Sequence, residues 1–436
     1  MHHQLYLGRV FNPLGEERVE YCADGGILVD QATGKVVTWG RGDDLIISGT
    51  EAAEKNGGSF QVNHAYKEMY LIPGLVDTHI HYPQANLLAR PGYDLMEWLE
   101  KSIFPGEIRM RDPEYARTVA TTLLGSMLEA GTTSALIYGV TYLEAMNVLC
   151  EEALVKGVRA YPGKMLMDQG APPELLDASA GQGYEDAQKF IANWQGQGNV
   201  QPSIALRFAL TSSEEQMRLT AKLLDEHPGL LFQTHLNENE REIAAVAAQF
   251  PRSTNYLNVY EYYGLHRSQS VYGHCVHMKD DEVRSMEAAD AAVAYCPCSN
   301  LYLASGLFNW EQLAKLRVGF GSDVGAGYTY SVLENAKLAL VLQKLRGYQV
   351  SPAKIFYHAT LGGAKVLRNE ANVGNFTTGK EADFIALDTS GDFALEAALD
   401  GATTSEEILL LLIMLHQRSH VKATLIAGEQ RYAAVG

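Results

Sequence analysis

Four short stretches of this sequence end in side chains that bind metals or move protons. "LVDTHIH" closes on His79 and His81, "THLNE" carries His235 and Glu238, "YGH" closes on His274, and "GFGSD" closes on Asp323. In an extended strand, residues i and i+2 share a face, so the imidazoles of His79 and His81 project side by side. With His235 and Asp323 they make a nitrogen/oxygen donor set suited to one zinc ion, with iron as the alternative. Glu238 follows His235 by three residues, where a strand turns into its loop. An unliganded carboxylate beside metal-activated water is the expected general base and, later, the proton donor to a leaving group. His274 is placed to hydrogen-bond the water or a substrate heteroatom as charge develops. Taken singly, each residue has a plainer reading. A strand-end histidine is more often a hydrogen-bonded structural residue, and an Asp after "GFGS" can simply cap a helix. Their joint occurrence favours a metal-dependent catalytic site with Glu238, His274 and Asp323 at its centre.

The elements that must position these residues follow from the apolar pattern. Eight short apolar runs succeed one another: "LIPGLVDTHIH", "TTSALIYG", "VRAYPGKMLMD", "SIALRFALT", "LLFQTHLNE", "SVYGHC", "AAVAYCPCSN" and "RVGFGSD". Amphipathic stretches such as "EYARTVATTLLGSMLEAG" and "SEEQMRLTAKLLDEHPG" separate them, with apolar residues at helical spacing. That alternation predicts an α/β fold, a (β/α)8 TIM barrel over residues 73–376, with the active site at the C-terminal strand ends. An open doubly wound sheet usually has fewer strands and a Gly-rich phosphate loop, and no such loop is present. Residues 1–72 and 377–436 read as β structure, and "GGILVD" and "KVVTWG" flank a hairpin-type turn. The expectation is a small β-sandwich domain assembled from both chain ends beside the barrel.

Composition bounds the partners. The 436 residues carry 35 basic and 52 acidic side chains, a net charge of −17, which disfavours a nucleic-acid polymer as partner. A nucleic-acid component would have to be a free base or nucleoside. Five scattered cysteines fit a reducing compartment, and the start "MHHQLYLGRVF" lacks signal-peptide character, so a cytoplasmic protein is expected. "EEILLLLIMLHQ" is too short to span a bilayer and reads as a buried helix, so no membrane is expected. Two rival metal sites fail on pattern. Cytidine-type zinc deaminases need H-x-E and P-C-x-x-C, whereas this chain has H-x-x-E and "CPCSN". Cys296 and Cys298 read as buried thiols. A two-metal barrel needs a bridging ligand on the fourth strand, and "SIALRFALT" offers none.

The motifs "PGLVDTHIH", "THLNE", "YGHC" and "GFGSD" resemble the amidohydrolase superfamily in its mononuclear deaminase branch. "HIHYPQ", "DLMEWLEKSIFP", "GKMLMD", "LRFALT", "CPCSNLYLASGLFN", "GSDVGAGYTYS" and "ATLGGAKVL" narrow the likeness to the guanine deaminases, from about Gly25 to Asp388. The resemblance implies one zinc per chain held by His79, His81, His235 and Asp323, with Glu238 shuttling protons and His274 assisting. It also implies that Gln84, Arg207 and Phe208, with Glu238 and His274, hold a small purine base. The implied reaction is hydrolytic deamination of guanine to xanthine and ammonia. The alternatives are a related amino-heterocycle substrate (8-oxoguanine, isoxanthopterin or a triazine) and a non-enzymatic scaffold. A homodimer is expected only because it is the commonest symmetric assembly. Lys164, His277 and the glycines of "GSDVGAGY" read as structural. Trp98 reads as packing or substrate contact, Cys298 departs from the family pattern, and "ANLLARPGYD" reads as a lid or specificity loop.

Overall fold

The computed structural model describes residues 2–56, 58–92 and 95–434. Eight parallel strands follow one another in chain order around one sheet: Leu75–His81, Thr132–Tyr138, Arg159–Leu166, Ser203–Leu206, Phe232–Leu236, Ser270–His274, Ala292–Tyr295 and Arg317–Phe320. Each falls within one of the eight apolar runs read from the sequence. The first three are buried along their whole length, as parallel strands covered on both faces must be. Helices fill the crossovers. Pro113–Glu129 starts where the Asp112 carboxylate accepts the Glu114 amide, and Glu214–Glu226 starts where Ser213 accepts the Gln216 amide.

The barrel closes without a backbone ladder between its first and eighth strands. Thr78 Oγ1 donates to the Phe320 carbonyl at 3.0 Å, and the Ser322 amide donates to Asp77 Oδ1 at 3.0 Å. The Asp323 amide donates to the His79 carbonyl at 2.8 Å, and the His81 amide donates to the Val324 carbonyl at 3.2 Å. A bulge lies in the first strand, where Asp77 pairs with Ala135 but Ile80 pairs with Ile137. The extra residue between those pairs re-aims the chain at Thr78 and His79.

A second, mixed sheet takes five strands from the N-terminal end and three from the C-terminal end. Tyr70–Pro73 joins them, parallel to His2–Gly15 on one side and antiparallel to Phe384–Leu387 on the other. Only Gly74 separates that strand from the first barrel strand, so the strand carrying His79 and His81 is anchored in the second sheet. The N-terminal region is not β throughout. Gly42–Asn56 is a helix, with Asp43 and Asp44 in its first turn and Lys55 in its last, complementing its dipole. Its Leu45 packs on Leu5, Leu7 and Leu28 of the sheet. "EEILLLLIMLHQ" is only partly the buried helix expected. Ser405–Met414 is helical and buries Leu409, Leu412 and Ile413, while its first turn is exposed. Among the described residues no helix is long and apolar enough to cross a membrane.

A Cβ added at Gly319, on the eighth strand, would collide with the Thr78 side chain in the seam, whereas one at Gly15 would meet nothing within 4 Å. Gly319→Ala is expected to destabilise the fold by about 1–3 kcal/mol through overpacking. A thermal melt should show a clear drop for Gly319→Ala and little change for Gly15→Ala.

Candidate active site

The first, fifth, sixth and eighth strands deliver their terminal side chains to one point. His79 Nε2 and His81 Nε2 lie 3.2 Å apart, and Asp323 Oδ1 lies 3.2 Å from the first and 3.1 Å from the second. His235 turns Nδ1 to the Arg207 carbonyl at 2.5 Å, which leaves Nε2 for the cluster. One ligand atom from each of His79, His81, His235 and Asp323 lies within 4.8 Å of every other. Burial lowers His79 to about 4 and His235 well below the ordinary imidazole range, so both present lone pairs at neutral pH. Burial pushes the Asp323 carboxyl up, but the facing imidazoles more than offset it and hold it well below the ordinary value. The Nε2 atoms of His79 and His81 and one Asp323 oxygen thus converge within 3.2 Å of one another. That donor set fits a divalent cation.

Beside the cluster, His274 Nε2 lies 3.4 Å from Glu238 Oε2 and 3.8 Å from Asp323 Oδ2. Its Nδ1 is held by Asn300 Oδ1 at 2.8 Å, and Ser305 Oγ donates to Glu238 Oε1 at 3.2 Å. Burial raises Glu238 to about 7, with Glu242 and Asp323 adding and His274 opposing. A carboxyl poised near neutrality can take a proton and return it. Burial pulls His274 down, but Glu238 and Asp323 outweigh it and leave it above its ordinary value. Backbone conformation is unusual at these positions: His274 (φ 69°) and Asp323 (φ 47°) are left-handed without being glycine. Such strain persists only where surrounding structure fixes it.

These groups open on a narrow cavity. His81, Gln84, Arg207, Phe208, His235, Glu238, His274 and Asp323 line it, and His79 Nε2 lies 3.2 Å from His81 Nε2. All nine site residues expected from the sequence thus gather at one place. Leu95, Trp98, Leu99, Leu303 and Ala326 form an apolar wall. Trp98 both faces the cavity and donates Nε1 to the Arg90 carbonyl at 3.0 Å. The loop after Gln84 runs back to that wall, but its last residues, Tyr93 and Asp94, lie outside the described residues.

Other residues single themselves out differently. Cys298 accepts the Tyr328 amide through Sγ at 3.3 Å, and Lys164 is buried against Asp177 Oδ1 at 3.0 Å. His277 Nε2 meets the Ser305 carbonyl at 2.7 Å. Neither Cys296 nor Cys298 joins the four-donor cluster.

Sequence reasoning missed several neighbours. Glu107 binds Arg207 by a double hydrogen bond and also accepts from Gln84. The Tyr138 ring packs 4.6–4.8 Å from the rings of His79, His81 and His235. Asp77 Oδ1 ties the His79 amide to the Ser322 amide. Asp77 carried a usable signal, since it sits two residues before His79 in the same strand.

A parallel eight-stranded barrel with a mononuclear-type His/His/His/Asp cluster at its mouth defines a hydrolase of the metal-dependent barrel class. Residues 70–429 match the amidohydrolase family model, and the chain belongs to the amidohydrolase family. It is 38% identical to the guanine deaminase of Escherichia coli (strain K12) over 84% of each chain. Among solved structures it is similar to E. coli guanine deaminase (TM-score 0.91, 33% identity, 99% of each chain). It is also similar to guanine deaminase from Bradyrhizobium japonicum (TM-score 0.91, 29% identity, 100% of each chain).

If the four-donor cluster holds a cation, its content should depend on those side chains and not on the nearby thiols. Elemental analysis is expected to find about one divalent transition metal per parent chain. His79→Ala and Asp323→Ala should lose most of it, and Cys298→Ser should keep it.

Proposed function

We propose that this chain is a guanine deaminase, hydrolysing guanine to xanthine and ammonia in a cytoplasm. The observation that carries the reading is the meeting, in one cavity, of the four-donor cluster, Glu238 and the Arg207–Gln84 edge. Relatives named for the same reaction support it. His79, His81, His235 and Asp323 would hold one zinc, or iron in its place. Such a cation supplies Lewis acidity that makes water nucleophilic near neutral pH.

The chain's own groups do the rest. Arg207 offers only donors, so it pairs with acceptor atoms on the purine edge, and Gln84 adds one donor and one acceptor. Phe208 and the apolar wall of Trp98 and Leu99 give the planar base an unpolar surface and exclude water. The guanine C2 then faces Glu238 and His274. Glu238 takes a proton from the attacking water as the new C–O bond forms at C2. It returns that proton to the exocyclic nitrogen as the C2–N bond breaks, and ammonia leaves. The C2=N3 electron pair moves to N3 on attack and returns as ammonia leaves, giving the 2-hydroxy tautomer that becomes xanthine, while His274, fixed by Asn300, hydrogen-bonds the attacking oxygen and holds it towards C2. The partner is thus a free purine base, and a second copy of the chain is proposed on base rate alone.

Guanine incubated with the protein is expected to yield ammonia and xanthine in equal amounts, read by ultraviolet absorbance. Glu238→Gln should lower kcat by at least ~10²-fold with metal content unchanged. Ammonia release from a pterin or triazine but not from guanine would overturn the substrate while leaving the chemistry in place.

A further inference from the structure

Arg207 does not stand alone at the cavity edge. Glu107 Oε2 accepts from one terminal nitrogen of its guanidinium at 2.8 Å, and Oε1 accepts from the other at 2.8 Å. The same Oε1 accepts from Gln84 Nε2 at 2.8 Å, and Gln84 Oε1 accepts the Gly325 amide at 3.2 Å. The residues come from four separate parts of the chain. Gln84 follows the first strand and Arg207 the fourth, Gly325 lies beyond the eighth, and Glu107 lies on the short helix Phe104–Ile108. Phe104 of that helix packs its ring 5.3 Å from the Arg207 guanidinium carbon. Glu107, Arg207 and Gln84 are 2%, 4% and 1% exposed. Arg207, Gln84 and Phe208 line the cavity, whereas Glu107 stands behind them.

We infer that Glu107 is a positioning and specificity residue that locks Arg207 and Gln84 into one hydrogen-bonding orientation towards the purine. The inference rests on the guanine reading above. Its physical basis is that an ionised carboxylate accepts and never donates. Gln84 must therefore turn its NH2 to Glu107 and its oxygen to the Gly325 amide. Flipping the amide would break both bonds and set oxygen against oxygen. The bidentate fork likewise fixes the plane of the guanidinium, leaving its remaining N–H groups to the cavity. A fixed donor array favours a ring carbonyl or ring nitrogen acceptor. It opposes an amino group at the same place, because two donors then meet in a site shielded from water.

A neutral isostere removes this constraint at the cost of an unpaired guanidinium. Glu107→Gln should raise KM for guanine by about tenfold or more, the effect of losing charge-assisted bonds that hold the binding group. kcat should fall by a smaller factor, and metal content should match the parent, because the four-donor cluster does not include Glu107. The preference in kcat/KM for guanine over 2,6-diaminopurine, which replaces the carbonyl with an amine, should narrow. Glu107→Asp keeps the charge and should recover part of the loss. In an Arg207→Gln background, Glu107→Gln should add less than about twofold, because a residue acting through Arg207 has nothing left to position.

KM and selectivity unchanged in Glu107→Gln would overturn the inference. So would losses confined to kcat together with loss of metal, which would make Glu107 a support of the barrel mouth. Should Glu107→Gln fail to fold, Glu107→Asp decides: a raised KM with metal retained supports the role, and an unchanged KM refutes it. A parent protein that deaminates another heterocycle but not guanine refutes the substrate reading by itself. The same KM comparison on that heterocycle then judges Glu107 separately.

Discussion

The first and eighth barrel strands share no ladder, yet three of the four clustered donors lie on them or just past their ends. His79 and His81 come from one side of that seam and Asp323 from the other, and the contacts that close it run through these residues. The Asp323 amide binds the His79 carbonyl, the Ser322 amide binds Asp77, and the His81 amide binds the Val324 carbonyl. Each bond satisfies a buried polar group that would otherwise cost about 1–3 kcal/mol. Closing the barrel and assembling the cluster are therefore one event. The bulge at Thr78–His79 and the left-handed backbone of Asp323 are the local distortions that permit it. The second sheet feeds its Tyr70–Pro73 strand into this seam through Gly74 alone, which fixes the first strand from outside the barrel.

Burying so much charge calls for a balance that the site reaches in two separate compartments. Around the seam, an ionised Asp323 faces three imidazoles and a fourth, His274, beyond them. Burial disfavours a proton on His79 and His235, so they do not cancel the buried carboxylate, and a cation among the four donors would. Across the cavity, Arg207 and Glu107 cancel each other at hydrogen-bond distance. Burial pushes the Glu107 carboxyl up, and Arg207 and Gln84 more than offset it, so it stays ionised below its ordinary value. Glu238 belongs to neither compartment. His274, 3.4 Å away, offsets its burial only in part, and Glu238 is lifted towards neutrality, where transfer in both directions is easiest.

Much of this was legible in the sequence because the relevant regularities are local. A buried parallel strand is a short apolar run, and a catalytic residue at its C-terminal end is the polar residue where the run stops. His79, His81, His235, His274 and Asp323 all obey that rule. Gly42–Asn56 escaped because "DDLIISGTEAAEKN" has a weak apolar face, and its helix forms against Leu5, Leu7 and Leu28, which come from two sheet strands. Glu107 escaped for a different reason. It sits two residues beyond "EWLEKSIFP" and is 100 residues from Arg207, so its role exists only once the barrel has closed.

The two kinds of legibility divide the site by rigidity. Groups that would activate water and move protons stand at or just past the ends of buried strands, held by ladders and seam bonds. Part of the cavity wall, and the carboxylate behind Arg207, are instead carried by Leu95–Ile108, where a helical turn, a wider π-type turn and another helical turn follow without a break. A π-type segment presents side chains at a spacing that a regular helix does not offer, here setting Trp98 and Leu99 at the cavity and Glu107 behind Arg207. Altering that segment would reshape the cavity wall and the support of Arg207 without touching the four clustered donors. Altering the seam would do the reverse. The four-donor cluster is consequently tied to the barrel's closure, whereas the orientation of Arg207 and Gln84 is tied, through Glu107, to one helical excursion packed against its mouth.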